Sequence, residues 1–190
     1  MVSARGREVR ERLLAAAAEL IPERGWTAVS TRMIAERAGV APGLVHYHFE
    51  SVQGLLSEAA VGVMRQVASV VGPALAAART PAEAVSLLVV SLDEYPGTDP
   101  VSVLFVETYL AATRDPRLRD AVAGVVSEFR AQVAGWLGER GVPAPEATAA
   151  VLGAAVDGLV MQRALDPTVT AESITPVLTR LFQKGETTWR

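Results

Sequence analysis

His46 and His48 are the only histidines in the chain, and cysteine is absent. A metal site needs three or four converging ligands. Side chains two apart on a helix point about 200° apart, so this His-x-His pair holds no metal by itself, and no metal or cofactor is expected. Thiolate chemistry and disulfides are excluded. No paired carboxylates, phosphate-binding glycine loop or Gly-x-Ser-x-Gly nucleophile turn appears, so nothing points to an enzyme. The remaining chemistry is recognition. Leu44, His46, Tyr47 and His48 lie together on one short segment. The histidines and the tyrosine can donate to phosphates or base acceptors, and a leucine can pack on a thymine methyl.

Helical periodicity dominates the elements around this cluster. Residues 5–24 carry Val9, Leu13, Ala16, Ala17, Leu20 and Ile21 on one stripe, and Gly25 ends that helix. Ser30 or Thr31 can cap a short second helix, Arg32 to Ala38. Gly39 supplies a turn, and a third helix runs from near Pro42 to about His48. Val40, Val45 and Phe49 fit its inward positions, leaving the four recognition side chains outward. Ser51 caps a long helix with Leu55, Leu56, Ala59, Val63, Val67 and Val70 inward, and Gly72-Pro73 kinks or ends it.

Two short helices across a tight glycine turn form a helix-turn-helix pattern, whose second element lies in the major groove. The segment Thr31-Arg-Met-Ile-Ala-Glu-Arg-Ala-Gly-Val-Ala-Pro-Gly-Leu-Val-His-Tyr-His-Phe49 carries it. With the first helix and Leu55-Leu56, it resembles the TetR family, the tetracycline-repressor-like regulators. Ala155-Val-Asp-Gly-Leu-Val-Met-Gln162 followed by Asp166-Pro167 resembles the penultimate helix of the same regulators. The resemblance implies an all-α homodimer. An N-terminal helix-turn-helix domain (1–50) would bind a double-stranded DNA operator, and a C-terminal helical domain (51–190) would bind a small-molecule effector and dimerise. The chain departs from the family at His46, where tyrosine is common, and at Ala41, where Ser or Thr is common. It departs again at Val52, where a lysine usually touches phosphate. Helix N-termini at Thr31 and Ser51, the hydroxyls of Ser30 and Thr31, and Arg32 remain as phosphate contacts, with Pro42 and Gly43 letting the backbone approach.

Downstream, Thr80-Pro81-Ala82-Glu83 has a capping-box pattern ahead of Val85, Leu88, Val89 and Leu92. Ser86 to Leu92 also suits a buried strand, but the cap and the length favour helix. Asp99-Pro100 and Asp115-Pro116 repeat the cap-proline signal. Residues 101–113 are apolar nearly all round and are expected to form a central buried helix. A helix over 116–139 has Leu118, Val122, Val125, Phe129, Val133 and Trp136 inward. Pro145 opens another, to about Leu165, and a last segment spans about 171–183. A carboxylate on the apolar central helix must be paired, protonated or face a cavity. Glu107 is therefore a candidate effector residue, with Phe105, Tyr109, Trp136, Met161 and Gln162 as lining. Ala150, Ala154 and Gly158 recur every four residues, and small side chains at that spacing let two helices approach closely, as at a dimer interface.

Half of the 190 residues are apolar, which is ample for a core, and the net charge is −3. Residues 1–50 carry +1 and residues 51–190 carry −4, a slightly basic head on an acidic body. The longest unbroken apolar run, Ala149 to Val156, is short of the ~20 residues a bilayer needs. No signal peptide or anchor is read, and a cytoplasmic location is expected. The reading is a ligand-responsive regulator, a repressor released by an apolar or amphipathic effector. The alternative is a helical ligand-binding scaffold whose helix-turn-helix no longer binds DNA.

Overall fold

The structure, a computed structural model, describes residues 4–180. Those residues form ten α-helices and no strand: α1 Ala4–Arg24, α2 Thr31–Ala38, α3 Gly43–His48, α4 Val52–Ala68, α5 Val71–Ala77, α6 Pro81–Val90, α7 Pro100–Ala112, α8 Pro116–Gly138, α9 Pro145–Arg163 and α10 Ala171–Thr179. Positions 181–183 of the expected last helix lie outside the described residues. The chain divides into two compact units. One comprises the residues up to Val67 together with Asp99–Val125; the other comprises Ala68–Thr98 and the residues from Val126 onward.

In the first unit α1 packs against α2 and α7, and α2 against α3. Leu13, Ile21, Ile34, Val45, Leu55, Leu56, Leu104 and Leu118 are essentially solvent-free. Caps set the starts as the sequence predicts. Asp99 accepts the N–H groups of Val101 and Ser102, each at 3.0 Å, and Asp115 accepts those of Arg117 and Leu118.

Helix α7 is not buried all round, contrary to expectation. Ser102, Leu104, Thr108 and Ala112 are buried, whereas Val106 and Leu110 are 38% and 49% exposed. Overall apolarity does not say which stripe a neighbour covers, and here the covered stripe contains two hydroxyls. Both are satisfied locally: Thr108 donates to the Leu104 carbonyl at 2.6 Å, and the Ser102 hydroxyl donates to Asp99.

Helix α4 also differs. Ala60, Val61 and Met64 are buried, Val63 and Val67 are half-buried, and Val70 is 44% exposed. Steps of four residues advance 400° on a helix, so the stripe 59, 63, 67 drifts off the core. The chain breaks at Ser69-Val70, before Gly72-Pro73, because Pro73 sits in the first turn of α5, where its missing N–H costs nothing. By length and composition the stretch Val52–Ala77 could cross a membrane, a longer candidate than the unbroken run 149–156. It is interrupted at that break. Its α4 part buries Leu55 and Leu56 and carries Glu58 in an ion pair with Arg10, as a protein core helix does.

The second unit has its own core of Leu75, Val85, Val89, Val133, Leu137, Ala149 and Leu152. Thr80 caps α6 by accepting the Glu83 N–H at 3.2 Å. The Glu83 carboxylate accepts from Arg79 N–H, one residue before the position a capping box would use. After α6 and the 3-10 turn Ser91–Glu94, the chain meets the end of α9 at Gly97. Its φ is +89°, and a Cβ there would lie 2.5 Å from the Ala164 nitrogen, so only glycine fits.

Arg163 locks the same corner. Its side chain, 7% exposed, donates to the carbonyls of Leu92 at 2.5 Å and Val169 at 2.9 Å and to the Asp93 carboxylate at 2.9 Å. Asp93 itself is well exposed, so the carbonyl bonds matter more than the ion pair. Arg163→Met should cost about 1–3 kcal/mol, because the Val169 carbonyl loses its donor, whereas the Leu92 carbonyl keeps the bond from Tyr95 N–H. Arg163→Lys should rescue little, since one ammonium cannot replace a three-way fork. Urea titrations of the three proteins check this.

Candidate nucleic-acid interface

The helix-turn-helix is built by local capping. Helix α1 ends at Arg24 with the Gly25 N–H on the Ile21 carbonyl. Ser30, rather than Thr31, caps α2 by accepting the Met33 N–H at 3.4 Å. Gly39 (φ +64°) closes α2, with its own N–H on Glu36 and that of Val40 on Ala35. This left-handed C-terminal closure favours glycine. Ser51 opens the next helix by accepting the Gly54 N–H at 3.0 Å.

Helix α3 turns Val45 inward at 1% exposure. Val40 is half-buried, and Phe49 is buried. Tyr47 is 79% exposed and Leu44 36%. His46, Pro42, Gly43, Arg32, Ser30 and Ser51 are also exposed, while Thr31 and Val52 are half-buried. His48 is half-buried rather than fully outward, and its ring stands edge-on to that of Tyr47 at 5.0 Å. A Cβ added at Gly43 meets nothing within 4 Å, so the start of α3 is open.

Several arginines hold this unit together. Arg10 pairs with Glu58 at 2.5 Å, and its guanidinium lies 4.9 Å from the centre of the Phe49 ring. Arg12 donates to the Gly39 carbonyl at 3.2 Å. Arg37 bridges Glu19 and Glu23, tying α2 to α1. The Arg37 hydrogen bond is the main reason the Glu23 carboxyl is held below its ordinary value.

Glu107 faces a half-open groove of about 540 Å³, wholly within the first unit. Its carboxylate Oε2 accepts the backbone N–H of Trp26 at 2.8 Å. The Trp26 indole Nε1 in turn donates to Gln53 Oε1 at 2.8 Å. The other candidate effector residues do not join Glu107 there. Phe105 and Tyr109 are half-buried along α7. Trp136 packs on the second unit's core under the Arg140 guanidinium. Met161 and Gln162 are exposed on α9, in that second unit. Ala150 and Gly158 are half-buried and Ala154 exposed. Among the described residues no cluster of three metal-ligating side chains occurs.

The family of bacterial regulatory proteins, tetR family, matches residues 13–59. The tetracyclin repressor-like C-terminal domain matches residues 79–184, more than half the chain. The chain belongs to the TetR family. It is 30% identical over 160 residues to the HTH-type transcriptional regulator BetI of Rhizobium meliloti, covering 82% of this chain and 78% of that protein. A solved transcriptional regulator of Streptomyces coelicolor A3(2), SCO7518, is 31% identical with a TM-score of 0.78, over 93% of this chain and 99% of that one. The multidrug binding protein EbrR, solved with imidazole, is 32% identical with a TM-score of 0.71, over 94% and 97%. TetR-family regulators are ligand-responsive DNA-binding repressors that act as dimers, and this chain is a transcriptional regulator of that kind.

Within this TetR-family chain the residues missed by sequence reasoning are Trp26, Gln53, Arg10 and Arg12. One signal pointed to Trp26: a large aromatic directly after a helix-ending glycine is rarely left in solvent. The others pair across 27 to 48 positions, beyond any periodic pattern.

Two outcomes follow for the arginine clamps. Arg10→Ala should lower stability by about 1 kcal/mol, through a cation–π contact of roughly 0.5–1 kcal/mol and a partly exposed ion pair of roughly 0–1 kcal/mol. Added salt should shrink the difference from wild type in thermal melts. For Glu23 the folded-state value is lowered, so its stabilisation is present at neutral pH and lost as pH falls through the depressed value, below the ordinary 4.5. Glu23→Gln should therefore be slightly less stable than wild type at pH 7 and indistinguishable at strongly acid pH. Urea midpoints measured against pH test the sign.

Proposed function

We propose that this regulator reads a (pseudo)palindromic operator through α3 as a homodimer and that a small apolar or amphipathic effector releases it. The observation that carries the reading is the exposure of Tyr47, Leu44 and His46 on one short helix whose opposite side is buried by Val45. An aromatic ring this exposed meets the fold only at the edge-on His48 ring, and a tyrosine edge would supply both a donor and an apolar face to DNA. Ser30, Thr31, Arg32, Ser51 and the backbone at Pro42 and Gly43 would take phosphates, with His48 at the margin. The division of labour places DNA reading in residues 1–50 and effector binding and dimerisation in 51–190, in the cytoplasm.

Dimerisation would use α9 and α10. Val151 and Met161 on α9, Leu165 just after it and Val177 on α10 expose large apolar side chains, at 52%, 52%, 88% and 56%. The stripe Ala150, Ala154, Gly158 would let a partner helix approach. EbrR, solved with a small organic molecule, supports the effector half of the proposal.

Tyr47→Ala should nearly abolish binding to a duplex selected by the wild-type chain from random sequences. Dimerisation and the thermal melt should stay unchanged, since the ring is solvent-exposed. Coincident isotherms for the two proteins would remove α3 as the reader, and a wild-type chain that selects no duplex would make the head a scaffold. A Cβ at Gly158 meets nothing within 4 Å, so Gly158→Leu fits the isolated chain. Sedimentation should show a weakened dimer, and unchanged association would place the interface elsewhere.

A further inference from the structure

We propose that the groove in front of Glu107 is a binding site for a small organic cation that carries N–H donors on an apolar body. Occupancy of this site would act directly on the helix-turn-helix. The inference rests on the regulator reading for its consequence, but not for the binding itself.

The groove's size, about 540 Å³, lies within the usual ~300–1,000 Å³ of small-molecule sites. Trp26, Leu110 and Pro116 line it with apolar surface, and Glu107 and Asp115 bring two carboxylates to it. Each carboxylate uses one oxygen inside the protein. Glu107 Oε2 accepts from Trp26 N–H. Asp115 Oδ1 accepts the N–H groups that open α8. Among the described residues, no donor claims Glu107 Oε1 or Asp115 Oδ2. Two carboxylate oxygens on an apolar groove suit an amidinium, guanidinium or ammonium group on an aromatic or alkyl body, through charge-assisted hydrogen bonds. An anion of the same shape has only Arg114, exposed on the groove's lining, to set against them.

The site touches the reading head at one atom. A cation that draws the Glu107 carboxylate toward itself competes with Trp26 N–H. Trp26 also fixes Gln53, in the first turn of α4 just after the reading helix. The turn between α1 and α2 and the start of α4 would shift together. The cation therefore lowers operator affinity, and by linkage DNA lowers affinity for the cation by the same factor.

The test uses the full-length chain with Trp136 and Trp189 replaced by phenylalanine, which leaves Trp26 as its one tryptophan. Benzamidine is the probe and benzoate its anionic counterpart. A fragment of this size should bind with a dissociation constant on the order of 0.1–1 mM. Benzamidine should change Trp26 emission saturably, and benzoate should not. Glu107→Gln keeps an acceptor for Trp26 N–H but loses the charge, and should weaken benzamidine by about tenfold or more. Equal response to benzoate, equal affinity in Glu107→Gln, or no saturable change at Trp26 would overturn the site. If Glu107→Gln fails to fold, the benzamidine–benzoate contrast on the parent chain decides alone. Operator binding is measured separately. Benzamidine bound at Trp26 by a chain that selects no duplex supports the site and overturns the regulator reading. Operator binding with no response at Trp26 does the reverse.

Discussion

Trp26 is held at both of its N–H groups, and the DNA-reading unit is arranged around that fact. The backbone N–H goes to the Glu107 carboxylate on α7, and the indole N–H goes to Gln53 on α4. Hydrogen bonds to a charged acceptor contribute more than neutral ones, about 1.5–3 kcal/mol. The ring itself is buried, so its position is fixed by packing as well as by polarity. One residue thereby sets the turn between α1 and α2 and the first turn of α4, and these two flank the reading helix in the chain. Helix α7 matches the C-terminal domain of the family, yet it packs on α1 in the same compact unit. The Glu107 carboxylate is the polar link that this arrangement supplies.

The arginines of the head divide between cohesion and recognition. Arg10, Arg12 and Arg37 are tied to Glu58, to the Gly39 carbonyl and to Glu19 and Glu23. Each clasp joins a helix to a neighbour or to the turn of the helix-turn-helix. Arg10 and Arg37 have carboxylate partners, whereas Arg12 keeps its charge on a neutral carbonyl. The exposed surface around α3 presents Ser30, Ser51, Tyr47 and the open backbone at Gly43.

The second unit uses a different device. An apolar core of leucine, valine and alanine supplies most of its cohesion, while a single buried guanidinium closes the corner where α6 runs out and α9 ends. The Leu92 carbonyl accepts one bond from the Tyr95 N–H and has a second lone pair to offer, while the Val169 carbonyl takes its donor from a side chain. Arg163 donates to both from one planar group. Gly97 then lets the backbone pass within a distance that no side chain would allow. Specific geometry at this corner comes from polar satisfaction, since apolar packing alone tolerates sliding.

The sequence by itself determined where most of the helices begin, though not the end of α4. Ser30, Ser51, Thr80, Asp99 and Asp115 cap them by contacts within four residues, and Gly25 and Gly39 end them by local backbone conformation. The outward face of α3 was legible for the same reason: the 3.6-residue period that buries Val45 forces Leu44, His46 and Tyr47 outward. Tertiary structure alone decided which stripe of α7 is covered, because a helix apolar all round carries no directional signal. The drift of α4 that leaves Val63 and Val67 half-buried was likewise invisible to a four-residue spacing rule. The pairings of Trp26 with Glu107, Arg10 with Glu58 and Arg163 with Leu92 join positions 48 to 81 apart. No local propensity encodes such partners. They exist because folding brings a donor and an acceptor from distant parts of the chain to the same place.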